Sequence, residues 1–197
     1  MTDLETKLFK HASPFRESVD NLNYSTYHFP EFKILTAQRN TQTRFVAHRI
    51  SDLKGKSILD LGCCTGAMSL EAVRLGAKSA VGYDYNKDKV EVANDIAKYL
   101  KLKNVTFLQM DFSKEYPIIK RDIVFNLALD AHLNDPIALY HKTFEFTKET
   151  CYFESNRSNI STADMITLMK NIGWRTVEFV GVSADDPYKR NLYILSK

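Results

Sequence analysis

The chain has 197 residues, of which 44% are hydrophobic and 26% are charged, and its formal net charge is +3. These values fit one globular domain with a sizeable core, and the apolar runs are far shorter than the roughly 20 residues of a membrane span. The N-terminus lacks the apolar stretch of a secretory signal, so we expect a cytoplasmic protein. The lysines and arginines are scattered, which argues against a general nucleic-acid-binding coat.

The first 50 residues differ in composition from the rest. Aromatic side chains stand there among polar and basic ones, and two helices are predicted, at 3–11 and at 41–50. The stretch between them, NLNYSTYHFPEF, is predicted to be irregular. We therefore assign residues 1–50 to an N-terminal helical or lid segment that packs on the core, and residues 51–197 to one cofactor-binding domain.

Beyond residue 50, short apolar runs alternate with helical periodicity. Strands are predicted at 57–61, 79–83, 105–109, 122–127, 150–154, 174–180 and 191–196, and helices at 67–75, after Asn86, at 136–146 and at 161–173. This alternation predicts an α/β fold with a mostly parallel sheet and helices on both faces. Because no helix separates the last two strands, we expect an antiparallel strand at the end of a seven-stranded sheet.

The segment ILDLGCCTG joins the first of these strands to the next helix. In an open parallel sheet, ligands bind beyond the carboxyl ends of the strands. Gly62 lets a ligand approach the backbone, and Gly66 permits the turn into the helix. The spacing differs from the G-x-G-x-x-G of dinucleotide sites, because Cys64 stands at the middle small position, and Asp60 favours a cationic ligand over a phosphate.

Polar residues also follow the next three strands. Asp84 ends the second strand, where a carboxylate can accept hydrogen bonds from both ribose hydroxyls. Asp111 follows the third strand and can accept from an adenine amino group, while Phe112 packs near the base. Asn126, near the end of the fourth strand, is expected beside the ligand through its side chain or its backbone. Helix capping or turn formation is the alternative for both acids.

These segments resemble the motifs of class I S-adenosylmethionine-dependent methyltransferases. ILDLGCCTG, VGYDYN, FLQMDF and DIVFNLALDAHLNDP stand in the order of that family, and the resemblance extends over about residues 54–197. The first motif is most similar to the Asp-Leu-Gly-Cys-Asn-Thr-Gly of transfer-RNA uridine carboxymethyltransferase-like enzymes and of sugar and small-molecule methyltransferases. The resemblance implies a Rossmann-like methyltransferase fold, with S-adenosylmethionine as the cofactor and S-adenosylhomocysteine as the product.

The resemblance also implies roles for individual residues. Those expected to bind the cofactor lie at or just after strand ends: Asp60, Gly62, Cys63, Thr65, Gly66, Asp84, Tyr85, Asp111, Phe112 and Asn126. Asp60 and the glycine-bounded turn would hold the methionine end, and Asp84 would bind the ribose. Tyr85 would flank the adenine, which Asp111 and Phe112 would bind.

Methyl transfer from a sulfonium requires alignment and, for an oxygen or nitrogen acceptor, a group that takes up a proton. His132, in the loop after the fourth strand, is the candidate catalytic base, because an imidazole accepts protons near neutral pH. The alternative is that it packs against or caps the helix near Pro136. Glu154, at the end of the fifth strand, is a candidate substrate ligand or second base, with a structural hydrogen bond as the alternative.

Four residues of the N-terminal segment are candidate substrate ligands. Arg39 and Arg44 could grip an anionic substrate, because a guanidinium group pairs well with carboxylate or phosphate. A solvated helix face with salt links is the alternative for both arginines. Tyr24 and Tyr27 could form an aromatic lid, or could belong to the core.

Neither cysteine chemistry nor a metal is expected. An odd number of cysteines without a secretory signal indicates reduced thiols, and the adjacent Cys63 and Cys64 lack the C-x₂-C spacing of zinc and redox sites. We interpret both as small side chains in a tight turn. Asp130, His132 and Asp135 are close in sequence, but this closeness does not create coordination geometry.

The leading hypothesis is a methyltransferase that acts on an oxygen or nitrogen atom of a small-molecule or sugar-type acceptor. A transfer-RNA- or RNA-modifying enzyme is the first alternative. The first motif favours it, whereas the weak basicity and the absence of an added RNA-binding domain count against it. The second alternative is a non-catalytic protein that binds the cofactor or serves as a partner subunit.

Overall fold

The computed structural model describes Leu4 and residues 24–197. The helix predicted at 3–11 therefore lies outside the described residues, except for Leu4, which packs against the core. In the described part of the chain, no helix combines the length and the apolar character needed to cross a bilayer.

Strands and helices alternate through most of the described chain. The strands are β1 (Tyr27–His28), β2 (Lys33–Ile34), β3 (Ser57–Leu61), β4 (Ser79–Asp84), β5 (Val105–Gln109), β6 (Arg121–Leu127), β7 (Thr147–Ser155), β8 (Thr176–Val182) and β9 (Asn191–Ser196). The helices are α1 (Thr41–Ala47), α2 (Ala67–Arg74), α3 (Lys87–Tyr99), α4 (Pro136–Phe146) and α5 (Thr162–Ile172), with a short 3₁₀ helix at Asp130–His132.

Seven strands form one sheet in the order β5-β4-β3-β6-β7-β9-β8, and β1 and β2 form a separate antiparallel pair. Strands β3 to β7 are parallel, and β9 runs antiparallel to both of its neighbours, β7 and β8. This confirms the predicted mostly parallel seven-stranded sheet with an antiparallel last strand. Because β4 and β6 lie on opposite sides of β3, the strand order reverses there, and a crevice opens at the carboxyl ends.

The core lies on both faces of this sheet. Successive residues of β3 face opposite sides, so Ile58 belongs to one apolar cluster and Leu59 to the other. Residues of α1, α2 and α3 cover the first face, and residues of α4 and α5 cover the second. Full burial of one such aliphatic side chain contributes about 1.5–3 kcal/mol, which explains why β3 is apolar on both faces.

Side-chain caps begin several helices where the sequence indicates them. The Oδ1 atom of Asn86 accepts a hydrogen bond from the N–H of Lys89 at 3.1 Å, which confirms the predicted cap of α3. Asp135 and Ser161 cap α4 and α5 in the same way, at 3.0 and 3.1 Å. Such caps satisfy N–H groups that have no partner within the helix.

Some predicted boundaries differ from the structure. Helix α1 ends at Ala47 instead of residue 50, because Arg49 has a left-handed φ of 52° that breaks the helix. The stretch predicted to be irregular contains β1, and β2 follows just after it. Strand β7 begins three residues early, because α4 leads into it without a separate turn.

Strand β8 is shifted by two residues from its predicted position. It begins at Thr176 instead of residue 174, because the ring of Trp174 is buried against Phe144, with centroids 5.2 Å apart. This contact holds the residue in the turn that follows α5. The strand continues to Val182 through an irregularity near Gly181.

Candidate functional site

A cleft of about 990 Å³ opens at the carboxyl edge of the sheet, at the point where the strand order reverses. It is lined by the turn after β3, the ends of β4, β5 and β7, the loop after β6 and the β8–β9 loop. Seven of the predicted site residues line it: Tyr24, Gly62, Asp84, Tyr85, Asp111, Phe112 and His132. The other nine are absent from its lining: Tyr27, Arg39, Arg44, Asp60, Cys63, Thr65, Gly66, Asn126 and Glu154.

Three backbone donors of the turn after β3 are already paired within the protein. The N–H groups of Gly62 and Cys63 both donate to the carbonyl of Tyr83, at 2.8 and 2.9 Å, and the N–H of Gly66 donates to the carbonyl of Cys63 at 2.9 Å. A turn that binds phosphate must direct free N–H groups at it. Because these donors are already paired, the turn is unsuited to a pyrophosphate.

Backbone conformation explains the glycines and one cysteine of this turn. Gly66 has a φ of 78°, and a Cβ atom there would lie 2.4 Å from the ring of Phe107. Cys64 also lies in the left-handed region, with a φ of 52°. Since that conformation favours glycine or asparagine, small size is an incomplete account of Cys64.

Neither thiol of the turn is activated. Burial raises the pKa of the Cys63 thiol well above its ordinary value and also raises the pKa of Cys64. A protonated thiol is a poor nucleophile and a poor metal ligand. Cys63 instead fills space beside Gly82, where an added Cβ atom would lie 2.8 Å from the Cβ atom of Cys63.

Asp84 is held rigidly at the end of β4. Its Oδ2 atom accepts the N–H of Cys64 at 2.8 Å, and its Oδ1 atom accepts the N–H of Asn86 at 3.0 Å. A carboxylate oxygen has two acceptor positions, so each oxygen keeps one for a ligand in the cleft. Two adjacent hydroxyls, as on a ribose, match this pair of acceptors.

Asp111 and Phe112 extend the cleft beyond β5. The carboxylate of Asp111 accepts hydrogen bonds from Lys114 Nζ at 2.8 Å and from Ser113 Oγ at 2.6 Å. Lys114 first, and then Ser113, lower the pKa of Asp111 to about 2, so this acceptor stays ionised. Phe112 is buried and stacks on Tyr116, with ring centroids 5.9 Å apart.

Asp60 lies behind the turn, outside the cleft lining. Its side chain is 3% exposed and accepts a hydrogen bond from Ser69 Oγ at 2.7 Å. Burial raises the pKa of Asp60 to about 6, although Ser69 opposes the shift. The Asp60 carboxylate therefore does not contact a ligand in the cleft, and it acts there only through the electrostatic potential of its charge.

Three more of the predicted residues, Tyr27, Thr65 and Asn126, lie in the protein interior and support the residues that line the cleft. The hydroxyl of Tyr27 donates to the carbonyl of Thr65 at 2.7 Å and also contacts Thr65 Oγ1 at 2.5 Å, which ties the N-terminal region to the turn. Asn126 is fully buried, and its Nδ2 atom donates to Thr143 Oγ1 at 3.0 Å. Its chain neighbours Leu127 and Ala128 line the cleft instead.

Glu154 is the centre of a buried ionic cluster. It pairs with Arg39 at 2.9 Å and with Arg44 at 3.1 Å, and His48 Nε2 lies 3.4 Å away. Burial by itself would raise the pKa of Glu154, but Arg44, His48 and Arg39 together bring it well below its ordinary value. Burial lowers the pKa of His48, so its ring is neutral at pH 7.

The β8–β9 loop completes this cluster, which we call the Glu154 cluster: Arg39, Arg44, His48, Glu154, Asp185, Asp186 and Arg190. Arg39 lies 3.3 Å from a carboxylate oxygen of Asp185 and of Asp186. Arg190, which also lines the cleft, pairs with Asp186 at 2.9 Å. The pairing of these loop carboxylates with Arg39 could not be predicted from local sequence patterns, because 146 residues separate Arg39 from Asp185.

His132 stands on the opposite side of the cleft from Asp84. It is exposed and ends the 3₁₀ helix, in which its N–H donates to the carbonyl of Leu129 at 3.0 Å. The neighbouring Asp130 is buried and accepts hydrogen bonds from Ser155 Oγ at 2.9 Å and from the N–H of Asn156 at 2.7 Å. Asp130 thus joins the His132 turn to the end of β7.

Several residues that line the cleft are not among the predicted site residues. Asn156 and Arg157 follow β7 directly, and Lys189 lies in the β8–β9 loop. The rule that ligands bind beyond strand ends would have found the first two, had β7 been extended to Ser155. Across the residues that the structure describes, no three His, Cys, Asp or Glu side chains are grouped as a metal site requires.

Comparison with known proteins agrees with this geometry. A family model described as a methyltransferase domain matches residues 52–177. Ribosomal protein L11 methyltransferase of Haemophilus influenzae (strain PittEE) is 38% identical over 74 residues, which cover 37% of this chain and 24% of that protein. Ubiquinone biosynthesis O-methyltransferase of Pseudoalteromonas translucida is 27% identical over 120 residues, covering 60% and 50%. The chain thus matches a quarter to a half of the length of these relatives.

Solved structures share the fold at low sequence identity. Magnesium protoporphyrin IX methyltransferase (ChlM) of Synechocystis PCC 6803 with bound SAM superposes with a TM-score of 0.67 at 17% identity, covering 79% of this chain and 78% of that one. An S-adenosylmethionine-dependent methyltransferase of Mesorhizobium loti gives 0.64 at 15% identity, covering 79% and 98%. The family model spans more than half of the chain, and the protein belongs to the class I S-adenosylmethionine-dependent methyltransferases.

Proposed function

We propose that this methyltransferase transfers the methyl group of S-adenosylmethionine to an oxygen or nitrogen atom of a small-molecule acceptor, sugar-type acceptors included. The observation that carries the proposal is a single cleft with fixed carboxylates on one side and an exposed imidazole on the other. Location in the cytoplasm stays a prediction from the sequence.

The cofactor fits the carboxylate side. Asp84 would accept from both ribose hydroxyls, and Asp111 would accept from the adenine amino group beside Phe112 and Tyr85. The methionine end would lie against Gly62, where the left-handed backbone brings the chain close to the cleft. A turn with paired N–H groups and nearby carboxylates suits a sulfonium and an ammonium group better than a phosphate.

The predicted residues outside the cleft lining would act indirectly, by holding the lining residues in place or by contributing to the electrostatic potential in the cleft. Thr65 and Tyr27 hold the turn in place, and Asp60 adds negative charge beneath it. Arg39 and Glu154 bind each other and would therefore position the β8–β9 loop without contacting the substrate.

Bound S-adenosylmethionine supplies an electrophilic methyl group on a positively charged sulfur. His132 would accept the proton of an acceptor hydroxyl as its oxygen bonds to the methyl carbon, or the proton that a neutral amine gives up once its nitrogen has bonded to that carbon. In both cases the carbon–sulfur bond breaks with its electron pair on sulfur. The rest of the work is alignment, which the two rigid sides of the cleft provide.

The names of two similar proteins support a small acceptor. One is an O-methyltransferase of ubiquinone biosynthesis, and the other is a methyltransferase of magnesium protoporphyrin IX. The concave shape of the cleft agrees with this class of substrate. The mild net charge of +3 gives RNA no strong electrostatic attraction.

The test is a pair of histidine variants. We expect His132→Ala to lower kcat at least about 100-fold, the lower end of general-base effects, while the Kd of S-adenosylhomocysteine changes less than about twofold. His141→Ala, on the exposed side of α4, is the matched control and should keep full activity. The assay follows labelled methyl transfer to a panel of hydroxyl- and amine-bearing metabolites, with calorimetry for S-adenosylhomocysteine.

Unchanged turnover of His132→Ala would show that His132 is not the base. Transfer to RNA, with steep dependence on salt and none to metabolites, would replace the small acceptor by RNA. Binding of S-adenosylhomocysteine without transfer to any acceptor would favour the non-catalytic alternative.

A further inference from the structure

The two sides of the cleft differ in charge. The carboxylates among its described lining residues are Asp84 and Asp111, and both lie on the β4–β5 side. The β7 and β8–β9 side carries three cationic side chains, Arg157, Lys189 and Arg190, whereas the β4–β5 side carries one, Lys89, whose charge interacts with that of Asp84. The proposed proton transfer to His132 uses none of these three cations.

One of these cations, Arg190, differs from the other two because it is paired with a carboxylate. Arg190 is neutralised by Asp186 at 2.9 Å and donates to Asn156 Oδ1 at 2.8 Å. Within the described part of the chain, Arg157 and Lys189 have no carboxylate within 4.0 Å. Arg157 is half-buried and lies near the hydroxyl of Tyr140, and Lys189 is exposed.

The backbone at or next to both of these cations is hydrogen-bonded. Asp130 holds the N–H of Asn156, next to Arg157, at 2.7 Å. In the β8–β9 loop, the carbonyl of Asp186 accepts the N–H of Lys189 at 3.1 Å. A ligand would therefore meet cations on a preorganised backbone, which lowers the entropy lost on binding.

We propose that the methyl acceptor is an anionic small molecule whose carboxylate or phosphate group pairs with Arg157 and Lys189. A guanidinium fork and an ammonium group together match either anion, and two cations without a carboxylate partner gain most from such a ligand. The reacting hydroxyl or amine of the same molecule then lies toward His132. This inference rests on the proposed small-molecule function and specifies its substrate class.

The test uses protein saturated with S-adenosylhomocysteine and two pairs of probes. Benzoate is compared with benzamide, its neutral analogue, and glucose 6-phosphate is compared with glucose, so the pairs distinguish carboxylate from phosphate. Calorimetry should show at least one anion binding about 10-fold or more tightly than its neutral partner, as expected for charge-assisted hydrogen bonds.

The variants locate the source of this preference. Arg157→Gln combined with Lys189→Asn should reduce the preference to less than about threefold. Asparagine suits position 189 because Lys189 has a left-handed φ of 49°. Arg175→Gln is the matched control, since Arg175 is exposed and precedes β8, at the sheet edge away from the cleft, and it should change nothing.

Three outcomes would overturn the inference. The first is that neither anion binds more tightly than its neutral partner. The second is that the double variant keeps the preference. The third is that the double variant weakens S-adenosylhomocysteine itself, because the two cations would then serve the cofactor's own carboxylate. The histidine experiment is independent of all three, so failure of the general base is recognisable separately.

Discussion

The Glu154 cluster and the basic side of the cleft both contain arginines and share Arg190, yet they differ in pairing. In the cluster, Arg39 is 1% exposed and Glu154 is completely buried, and each has several partners of opposite charge. On the cleft wall, Arg157 and Lys189 are accessible and have no carboxylate within 4.0 Å among the described residues. The presence or absence of a carboxylate partner, and not the residue type, therefore separates structural charges from charges that are available to a ligand.

The largest expected effect is on the cluster. Glu154→Gln leaves Arg39 and Arg44 buried with less counter-charge, so we expect the free energy of unfolding to fall by about 3–5 kcal/mol. Urea denaturation measures this loss. Glu145→Gln breaks the exposed pair with Lys142 and should cost less than about 1 kcal/mol. Equal losses in the two variants would contradict the distinction between buried and exposed pairs.

The same cluster predicts a pH dependence. The folded pKa of Glu154 is lowered, so its contribution is present above its unfolded value of about 4.5 and is lost as the pH falls below that value. Glu154→Gln should therefore differ most from the wild type near pH 7 and least in acid. Parallel pH profiles of unfolding free energy for the two proteins would contradict this assignment.

Asp60 is expected to behave in the opposite way. Its pKa is raised to about 6 from 3.8, so ionisation destabilises the folded protein as the pH rises between these values. Asp60→Asn should raise the free energy of unfolding by up to about 3 kcal/mol at pH 7, with no gain below pH 3.8. Urea titrations at the two pH values measure it. A gain of equal size in acid would show that another effect is responsible.

On the cleft side, a substitution should weaken ligand binding. Asp84→Asn should weaken binding of S-adenosylhomocysteine by about 2 kcal/mol, or roughly 30-fold, because it removes the charge that two hydroxyls would share. Asparagine at position 84 also loses one of the two backbone hydrogen bonds that the carboxylate accepts, so urea denaturation accompanies the binding measurement. Asp88→Asn, at an acidic position in the first turn of α3, is the control for charge alone. Calorimetry that finds equal affinity for both variants would rule out the ribose role of Asp84.

The smallest effect concerns the turn itself. Cys64→Asn should stabilise the protein by about 1 kcal/mol, because asparagine tolerates the left-handed backbone better than cysteine does. Cys63→Asn should have the opposite sign, since that side chain is buried against Gly82. Thermal denaturation of the two variants compares the effect of backbone conformation at Cys64 with the effect of side-chain size at Cys63. A loss of stability in both variants would indicate that side-chain size is decisive at both positions.

Much of the fold could be predicted because burial leaves a local signal. The strands at 57–61 and 105–109 match their predicted bounds, because each is an apolar run that ends at turn residues. The end of α1 could not be predicted in this way, because arginine rarely adopts the left-handed φ that Arg49 has, and nothing in the local sequence indicates it. The division of the chain at residue 50 stays a prediction.

The candidate site likewise contains residues whose position could be predicted from the sequence and residues whose partners could not. Asp84 and Asp111 could be placed at the cleft, because parallel strands bring their carboxyl ends to one edge. The pairing of Arg39 with Glu154 could not be predicted, because 115 residues separate them and no local sequence pattern identifies which residue neutralises a buried charge. Whether an arginine meets a ligand or a glutamate is decided only by tertiary structure.

The position of β9 also bears on how the molecule forms. It is inserted between β7 and β8, both of which precede it in the chain, so β8 has no neighbour in the sheet until β9 has been synthesised. The loop that carries Asp186 and Lys189 enters the structure together with this strand. During translation, the half of the sheet that holds Asp84 can therefore assemble early, whereas the opposite wall of the cleft is completed last.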